Sequence, residues 1–131
     1  MNPFKNTNPK LEGTKLQNFQ PMTKVDELEI IDTIVGTGDT VPDGATITAH
    51  YTGALASNGI IFQSSHVFAN PITFGLNQVI PGWTKGVPGM KVGGIRRLII
   101  PSAEAYGPNS PSPNIPSNSD LVFDIELVCI N

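Results

Sequence analysis

Aromatic and branched apolar side chains near predicted turns are the residues of this sequence best suited to do chemistry. The stretch QVIPGW, residues 78–83, places the only tryptophan, Trp83, directly after two β-branched residues and a Pro-Gly pair. Tyr106 lies in a segment rich in Pro, Gly and Ser, where its phenol is free to reach a ligand. Such residues can line an apolar pocket that binds a small apolar group and removes it from water. Core packing explains most sets of this kind as well, and we favour that interpretation for Phe74.

The sequence carries no motif of conventional catalysis. His50 and His66 have no second His or Cys at metal-ligand spacing, so a zinc site is not expected. Gly36 and Gly38 continue neither into the pattern GxGxxG nor into a helix, which argues against a phosphate-binding loop. Neither a nucleophile elbow nor a pair of acids in an apolar setting is present. An enzyme with this sequence would work without a nucleophile, metal or nucleotide, and we expect no cofactor.

Composition favours one small β-rich domain. The chain has 131 residues, of which 39% are apolar and 15% charged, with 13 Gly and 12 Pro, a balance typical of turn-rich β structure. The net charge of −3 and the lack of clustered Lys and Arg argue against nucleic acid and anionic membranes as partners. No apolar run is long enough for a signal peptide or a membrane span. We therefore expect a soluble cytoplasmic protein, or a soluble domain cut from an anchored parent.

Period-two alternation predicts the strands that must position these side chains. The clearest strand covers residues 46–52, and Asn58-Gly59 then predicts a hairpin whose second strand runs through Phe62. Further strands are predicted over residues 27–35, 72–76, 94–100 and 121–130. In the last strand the odd-numbered residues form a core face and the even-numbered residues a wet face. Cys129 falls on the core face, so we expect a buried small hydrophobe rather than a reactive thiol.

One short helix is predicted to begin at Pro81, which suits the first helical position, and to end near Val87. Trp83, Val87 and Met90 fall on one side of this segment, and the Gly and Pro residues within it disfavour continuation. Trp83 thus stands at the helix start. Together the elements predict an α+β domain of five or six antiparallel strands folded over one short helix.

Residues 1–24 show neither strand nor helix periodicity. We expect them to form an N-terminal extension, disordered or draped on a domain formed by residues 25–131. Within that domain, the proline-rich segment 101–120 predicts a long stiff loop, and long ordered loops usually serve function.

A series of motifs extends in order over about residues 27–130. The motifs are His50-Tyr51-Thr52-Gly53, Phe62-Gln63-Ser64-Ser65, Phe74-x-Leu76-x-Gln78-Val79-Ile80-Pro81-Gly82-Trp83, Gly89-Met90-Lys91-Val92-Gly93-Gly94-x-Arg96-Arg97, Ile100-Pro101, Ala105-Tyr106-Gly107, Ile115-Pro116 and Leu121-Val122-Phe123-Asp124-Ile125-Glu126-Leu127. In this order and at this spacing they resemble the FK506-binding-protein (FKBP) type of peptidyl-prolyl cis-trans isomerase.

The resemblance implies a half-barrel sheet wrapped around the helix, with an apolar pocket between the two. It also implies a monomeric isomerase that rotates X–Pro bonds of proline-containing polypeptides, assists protein folding and binds macrolides of the FK506 and rapamycin type. By the same resemblance the catalytic positions are Tyr51, Phe62, Gln63, Trp83, Tyr106 and Phe123. Positions that contact substrate or macrolide are Ile72, Val79, Ile80 and Ile115.

Relatives also suggest roles for individual groups. The indole matching Trp83 forms the pocket floor under the proline ring, and the backbone N–H matching Ile80 and the phenol matching Tyr106 donate hydrogen bonds to the ligand. Two positions depart from the family pattern: Gln63 replaces the usual aspartate, and Ile72 replaces an aromatic residue. The alternative function is therefore a non-catalytic module that binds proline segments or macrolides in the same pocket. A β-sandwich carbohydrate or lipid binder would need a larger concave surface or an internal repeat, and the sequence shows neither.

Overall fold

The computed structural model describes residues 13–65 and 70–131, and its elements lie close to their predicted positions. The strands are β1 (Glu29–Ile34), β2 (Thr46–Leu55), β3 (Ile61–Ser64), β4 (Ile72–Gly75), β5 (Ile95–Ile100) and β6 (Leu121–Ile130), and the helix is α1 (Pro81–Gly86). A 3₁₀ turn, Ser102–Glu104, opens the long loop before β6. The helix has proline at its start and ends just before Val87, as the sequence predicts.

The strands form one antiparallel sheet in the order β1-β5-β6-β2-β3, and β4 also pairs with β2. One edge of β2 pairs with β6 over residues 47–55. The other edge of β2 is shared, because residues 46–49 pair with β4 and residues 52–54 pair with β3. This antiparallel sheet with one short helix confirms the predicted α+β fold class.

The main core lies between one face of the sheet and α1. Alternation along β2 sends Ile47, Ala49 and Tyr51 to this face, and their exposed fractions are 0%, 0% and 7%. The helix side contributes three buried residues at the predicted spacing: Trp83, Val87 and Met90. The pocket-forming tryptophan is therefore part of the packing that joins helix to sheet.

Arg96 secures the end of α1 against the sheet. Its guanidinium donates hydrogen bonds to the carbonyls of Gly86 and Pro88 at 2.8 and 3.2 Å, and it pairs with Asp32 at 2.7 Å. The last carbonyls of a helix lack intrahelical partners and carry partial negative charge. A buried cation at this point therefore holds the helix that carries Trp83 in its place on the sheet.

A second, smaller core lies on the opposite face of the sheet. Residues 13–25, which we call the N-terminal strap, cross this face, and the backbone N–H groups of Leu16 and Met22 donate to the carbonyls of Gly59 and Ala56 at 2.7 and 2.8 Å. Strap residues Leu16, Phe19 and Met22 pack on a cluster of Val25, Ala54, Ala56, Ile61, Ile99 and Val122. The expectation that the even-numbered residues of β6 form a wet face is therefore wrong at Val122, which is fully buried in this second core.

Arg97 ties the N-terminal strap to the sheet. Its guanidinium donates to both carboxylate oxygens of Asp124 at 2.7 and 2.8 Å, and to the strap carbonyls of Asn18 and Gln17 at 2.6 and 3.1 Å. The guanidinium carbon also lies 5.6 Å from the centroid of the Phe19 ring, which is within the range of a cation–π contact. One cation thus joins a strand carboxylate to the backbone of the strap.

The predicted burial of Cys129 is wrong, and a β-bulge explains why. The pairing of β2 with β6 shifts by one residue between Leu127, which pairs with Ala49, and Cys129, which pairs with Thr48. Val128 is the extra residue, so the side chains beyond Leu127 alternate in the opposite sense. Cys129 is consequently exposed, while Ile130 packs against the main core.

Gly86→Ala is expected to destabilise the protein, although alanine is usually the better helix former. A Cβ at this position would lie 2.7 Å from a methyl carbon of Leu98. Overpacking of this kind costs about 1 to 3 kcal/mol, which outweighs a gain of about 1 kcal/mol in helix propensity. Urea denaturation should therefore give a lower free energy of unfolding for the variant than for the wild type.

The Leu98→Ala background provides the control for this prediction. Removing the Leu98 side chain makes room for the new methyl group, so the double variant should lose less stability than the two single losses added together. Strictly additive losses would show that the close approach of helix and sheet is not what requires glycine.

Candidate active site

A cavity of about 500 Å³ opens beside the start of α1, between the sheet and the loop that carries Tyr106. Its wall consists of Tyr51, Phe62, Gln63, Phe74, Gln78, Val79, Ile80, Trp83, Tyr106 and Phe123. The volume falls within the range of small-ligand sites, and the mixture of apolar walls with a few polar groups is typical of them. All six positions assigned to catalysis by the resemblance lie on this wall.

Trp83 is held by other aromatic rings at the base of this cavity. Its ring centroid lies 4.9 Å from that of Phe74, 5.7 Å from that of Tyr51 and 5.4 Å from that of Phe123. The contacts with Tyr51 and Phe123 are edge-to-face, a geometry that aromatic quadrupoles favour. Its indole N–H is buried without a hydrogen-bond partner among the described residues. Ring packing therefore fixes the orientation of the indole.

Phe62 and Phe123 form a second pair of rings over β2, and Gly53 makes room for them. The two ring centroids are 5.8 Å apart and the rings are nearly perpendicular. A Cβ at Gly53 would lie 2.7 Å from an atom of each ring. The glycine that follows the β2 motif His50-Tyr51-Thr52 therefore lets the aromatic wall close directly onto the strand.

Besides the amide side chains of Gln63 and Gln78, two hydrogen-bond donors at the cavity have no partner within the described part of the chain. The carbonyl of Ile80 accepts from Trp83 and Thr84 at 3.0 and 3.3 Å, whereas the N–H of Ile80 makes no bond there. The Tyr106 hydroxyl is the second such donor, on a side chain that is 37% exposed. Both groups can donate to the carbonyl oxygens of a bound peptide.

Partial burial raises the pKa of Tyr106 above its ordinary value of 10.0. The cause is desolvation, which disfavours the charged phenolate. Because the neutral form is the donor, the shift keeps the hydroxyl available as a donor throughout the neutral pH range.

Two of the ten predicted site residues do not reach the cavity wall. Ile72 pairs with Ala49 at the start of β4 and packs against the main core, and Ile115 is a core residue only 6% exposed. Phe74, two residues after Ile72 on the same face of β4, reaches Trp83 instead. We expected Phe74 to be a core residue. Its ring does pack against the core, but it also lines the cavity.

Gln78 is the other wall residue that sequence reasoning missed. It follows the turn after β4, where its backbone N–H donates to the carbonyl of Gly75 at 2.9 Å. Its position directly before Val79 and Ile80 could have identified it as a wall residue, because apolar pockets usually include a few polar side chains. With Gln63, it gives the cavity two neutral amide side chains.

The cavity offers binding and desolvation rather than acid–base or nucleophilic chemistry. Among the described residues of its wall there is no carboxylate, histidine, lysine, arginine or cysteine. The arrangement can hold an apolar ring against the indole while two donors fix adjacent carbonyl groups. A neutral amide bound in this way would exchange its water for aromatic surroundings.

The described residues contain neither a metal-binding cluster nor a membrane-spanning helix. No group of three or more His, Cys, Asp and Glu side chains is arranged to hold a metal ion. His50 is hydrogen-bonded to Ser65 at 3.0 Å, and His66 lies outside the described residues. No described helix is long and apolar enough to cross a membrane.

Comparison with known proteins gives consistent matches. Residues 38–128 match the family model of the FKBP-type peptidyl-prolyl cis-trans isomerase. The chain is 48% identical over 87 residues to the peptidyl-prolyl cis-trans isomerase FPR2 of Saccharomyces cerevisiae, a match that covers 65% of this chain and 64% of the relative. It is 41% identical over 123 residues to FkpA of Aeromonas hydrophila, which covers 94% of this chain and 42% of the relative.

Solved structures show the same fold. A peptidyl-prolyl cis-trans isomerase from Pseudomonas syringae aligns with a TM-score of 0.72 and 33% identity over 84% of this chain and 80% of that one. The structure of AtFKBP13 aligns with a TM-score of 0.71 and 36% identity over 82% of this chain and 96% of that one.

The chain spans less than two thirds of the length of the first curated relatives, between 28% and 64%. The family model nevertheless covers most of it, including every residue of the cavity wall. The aromatic cavity at the helix start, the antiparallel sheet and these matches together show that the chain belongs to the FKBP-type peptidyl-prolyl cis-trans isomerase family.

Proposed function

We propose that this chain catalyses the cis-trans isomerisation of X–Pro bonds in polypeptides, and so assists protein folding, by desolvating the prolyl amide in the cavity floored by Trp83. The observation that carries the proposal is a neutral, largely aromatic wall with two unpartnered donors, the N–H of Ile80 and the hydroxyl of Tyr106. The prolyl ring would lie against the indole, and the two donors would hold carbonyl groups of the peptide.

Desolvation is large enough to account for catalysis. Amide resonance sets a rotation barrier of roughly 18 to 20 kcal/mol, and uncatalysed X–Pro exchange takes tens to hundreds of seconds. The planar amide is more polar than the twisted one, so removal of water raises the planar form more. A thousandfold acceleration needs about 4 kcal/mol, and stripping an amide of water costs roughly 2 to 7 kcal/mol. No proton has to move.

The direct test is NMR exchange spectroscopy on a short peptide with an apolar residue before proline, with and without the protein. We expect catalysed exchange, and we expect FK506 or rapamycin to inhibit it by occupying the same cavity. Exchange at the uncatalysed rate would refute the enzymatic proposal. Catalysis that saturating macrolide leaves unchanged would refute the shared binding site alone.

Phe62→Ala is expected to lower kcat/KM about 10- to 30-fold, because the lost aromatic wall is worth on the order of 2 kcal/mol of apolar contact. Phe19→Ala is the matched control, since Phe19 packs in the second core on the far face of the sheet. The same exchange assay, run where both variants are folded by circular dichroism, should show near wild-type turnover for Phe19→Ala. Equal losses in the two variants would indicate general destabilisation instead.

Turnover is expected to stay constant between about pH 5 and 8. The wall has no histidine or carboxylate among its described residues, and the raised pKa of Tyr106 keeps the phenol neutral across this range. The neutral donor would be lost only when the pH rises through that elevated pKa. A bell-shaped profile of kcat/KM, or a titration with a midpoint near that of histidine, would contradict desolvation as the mechanism.

Gln63 supports the second candidate function, a binding module that no longer accelerates rotation. Its amide stands at the cavity wall where relatives carry an aspartate, so the site lacks a negative charge there. If the module only binds, the wild type should bind the proline peptide without catalysing exchange, and Gln63→Asp should introduce catalysis. Wild-type turnover within about tenfold of a typical member would exclude this alternative, since a tenfold change is only about 1.4 kcal/mol of transition-state stabilisation.

We also propose that the monomer is the functional unit. All ten wall residues come from one chain: from one sheet, from the helix and the turn before it, and from the loop that carries Tyr106. The proposed site is therefore complete without a second subunit.

A further inference from the structure

Asp120 makes three connections just before β6 begins. One carboxylate oxygen accepts a hydrogen bond from the backbone N–H of Ser102 at 2.9 Å, and the other accepts from the N–H of Val25 at 2.9 Å. Its backbone carbonyl accepts from the N–H of Ala56 at 2.9 Å. A carboxylate that accepts backbone N–H groups forms strong, charge-assisted bonds. Asp120 thus joins the end of the N-terminal strap, the β2–β3 hairpin and the start of the loop that carries Tyr106.

The Ser102 end of this connection leads directly to Tyr106. The carbonyl of Ser102 accepts from the N–H of Ala105 at 3.0 Å and from the N–H of Gly107 at 2.9 Å. These two donors are the residues on either side of Tyr106. Asp120 therefore holds Ser102, and Ser102 in turn anchors both neighbours of Tyr106.

Besides the bond from Ser102 to Asp120, the turn that carries Tyr106 has one exposed ion pair and a few backbone hydrogen bonds. Glu104 pairs with Lys85 of α1 at 3.2 Å, but the lysine side chain is 63% exposed, and exposed ion pairs contribute little. The N–H of Asn118 donates to the carbonyl of Gly107 at 2.7 Å, which fixes the far side of the turn. The backbone carbonyl of Tyr106 accepts from the N–H of Asn109 at 3.1 Å, whereas the Tyr106 hydroxyl makes no hydrogen bond within the described residues, so nothing there holds the phenol directly.

We infer that Asp120 is a positioning residue for catalysis: through Ser102 it holds the turn that aims the Tyr106 hydroxyl into the cavity. This role rests on the proposed function, because it matters only if Tyr106 donates to a bound peptide. A small displacement of a positioned donor is enough to reduce catalysis. Asp120→Asn keeps the size of the side chain but places an NH₂ group against one of the two backbone donors.

The first experiment reads the position of Tyr106 without any turnover. The chain has only two tyrosines, so incorporation of 3-fluorotyrosine gives two ¹⁹F resonances, which the Tyr106→Phe variant assigns. In Asp120→Asn we expect the Tyr106 resonance to shift or broaden and the Tyr51 resonance, from the buried ring on β2, to stay unchanged. An unchanged Tyr106 resonance in the folded variant would overturn the inference.

Asp124→Asn is the matched control for this measurement. Asp124 is a nearby carboxylate on β6, but it pairs with Arg97, which in turn binds the N-terminal strap on the face of the sheet away from the cavity. The control should lose stability in urea and leave the Tyr106 resonance where it is in the wild type. A similar disturbance of Tyr106 in both variants would mean that the effect is general loosening and would overturn the specific role.

A double-mutant cycle then tests the consequence for catalysis. We expect Asp120→Asn to lower kcat/KM about three- to tenfold in the wild type, and to have less than about a twofold effect when Tyr106 is already phenylalanine. Equal losses in both backgrounds would show that Asp120 does not act through Tyr106. If the wild type itself proves inactive, the proposed function fails, while the ¹⁹F result still decides whether Asp120 positions the ring.

Two further measurements separate the two arms of the Asp120 carboxylate. Ser102→Pro in the Asp120→Asn background should restore the Tyr106 resonance, because proline fits the first position of the 3₁₀ turn and fixes its φ without a hydrogen bond. Failure to restore it would assign the effect to the Val25 arm and overturn the role of Ser102. In the unmodified protein the Ser102 amide proton should exchange slowly with D₂O, and fast exchange would overturn the inference even if no variant folds.

Discussion

The contact of Trp83 with three other rings is the interaction on which the rest of this structure depends. Phe74, Tyr51 and Phe123 reach the indole from β4, β2 and β6, with centroid distances between 4.9 and 5.7 Å. The same packing closes the main core between helix and sheet and makes the floor of the cavity. The indole at the floor of the site is therefore packed as closely as a core residue, beside the apolar cavity.

Charged residues are few in this chain, and several of them stand where separate segments meet. Arg96 holds the carbonyls at the end of α1, Arg97 holds the carbonyls of the N-terminal strap, and Asp120 holds backbone N–H groups of the strap and of the Tyr106 loop. Ionised groups that bind the backbone make stronger bonds than neutral ones. Three side chains thereby fix the helix, the strap and the loop onto one sheet, and two of these elements carry the cavity.

The separation of these charges from the cavity suits the proposed chemistry. A cation near the prolyl carbonyl oxygen would stabilise the polar planar form and oppose rotation, whereas apolar aromatic groups do not. Beside the neutral amides of Gln63 and Gln78, the described wall supplies an N–H at Ile80 and a hydroxyl at Tyr106 that can donate to carbonyl oxygens of a peptide. The fold thus uses its ionic contacts for support and keeps the described wall neutral, and at Gln63 this neutrality removes a charge that relatives carry, which is the change on which the second candidate function rests.

The sequence by itself determined the fold class, the positions of the strands and the short helix, because alternation and proline placement depend on neighbouring residues alone. Its motifs also identified eight of the ten wall residues. Only the tertiary structure decided which residues depart from the burial that strand alternation and the motifs predict. A bulge at Val128 exposed Cys129, the strap buried Val122, and the reach of a phenyl ring brought Phe74 to the cavity while Ile72 stayed in the core. Each of these outcomes depends on a partner segment far away in the sequence, and such partners have no local signal.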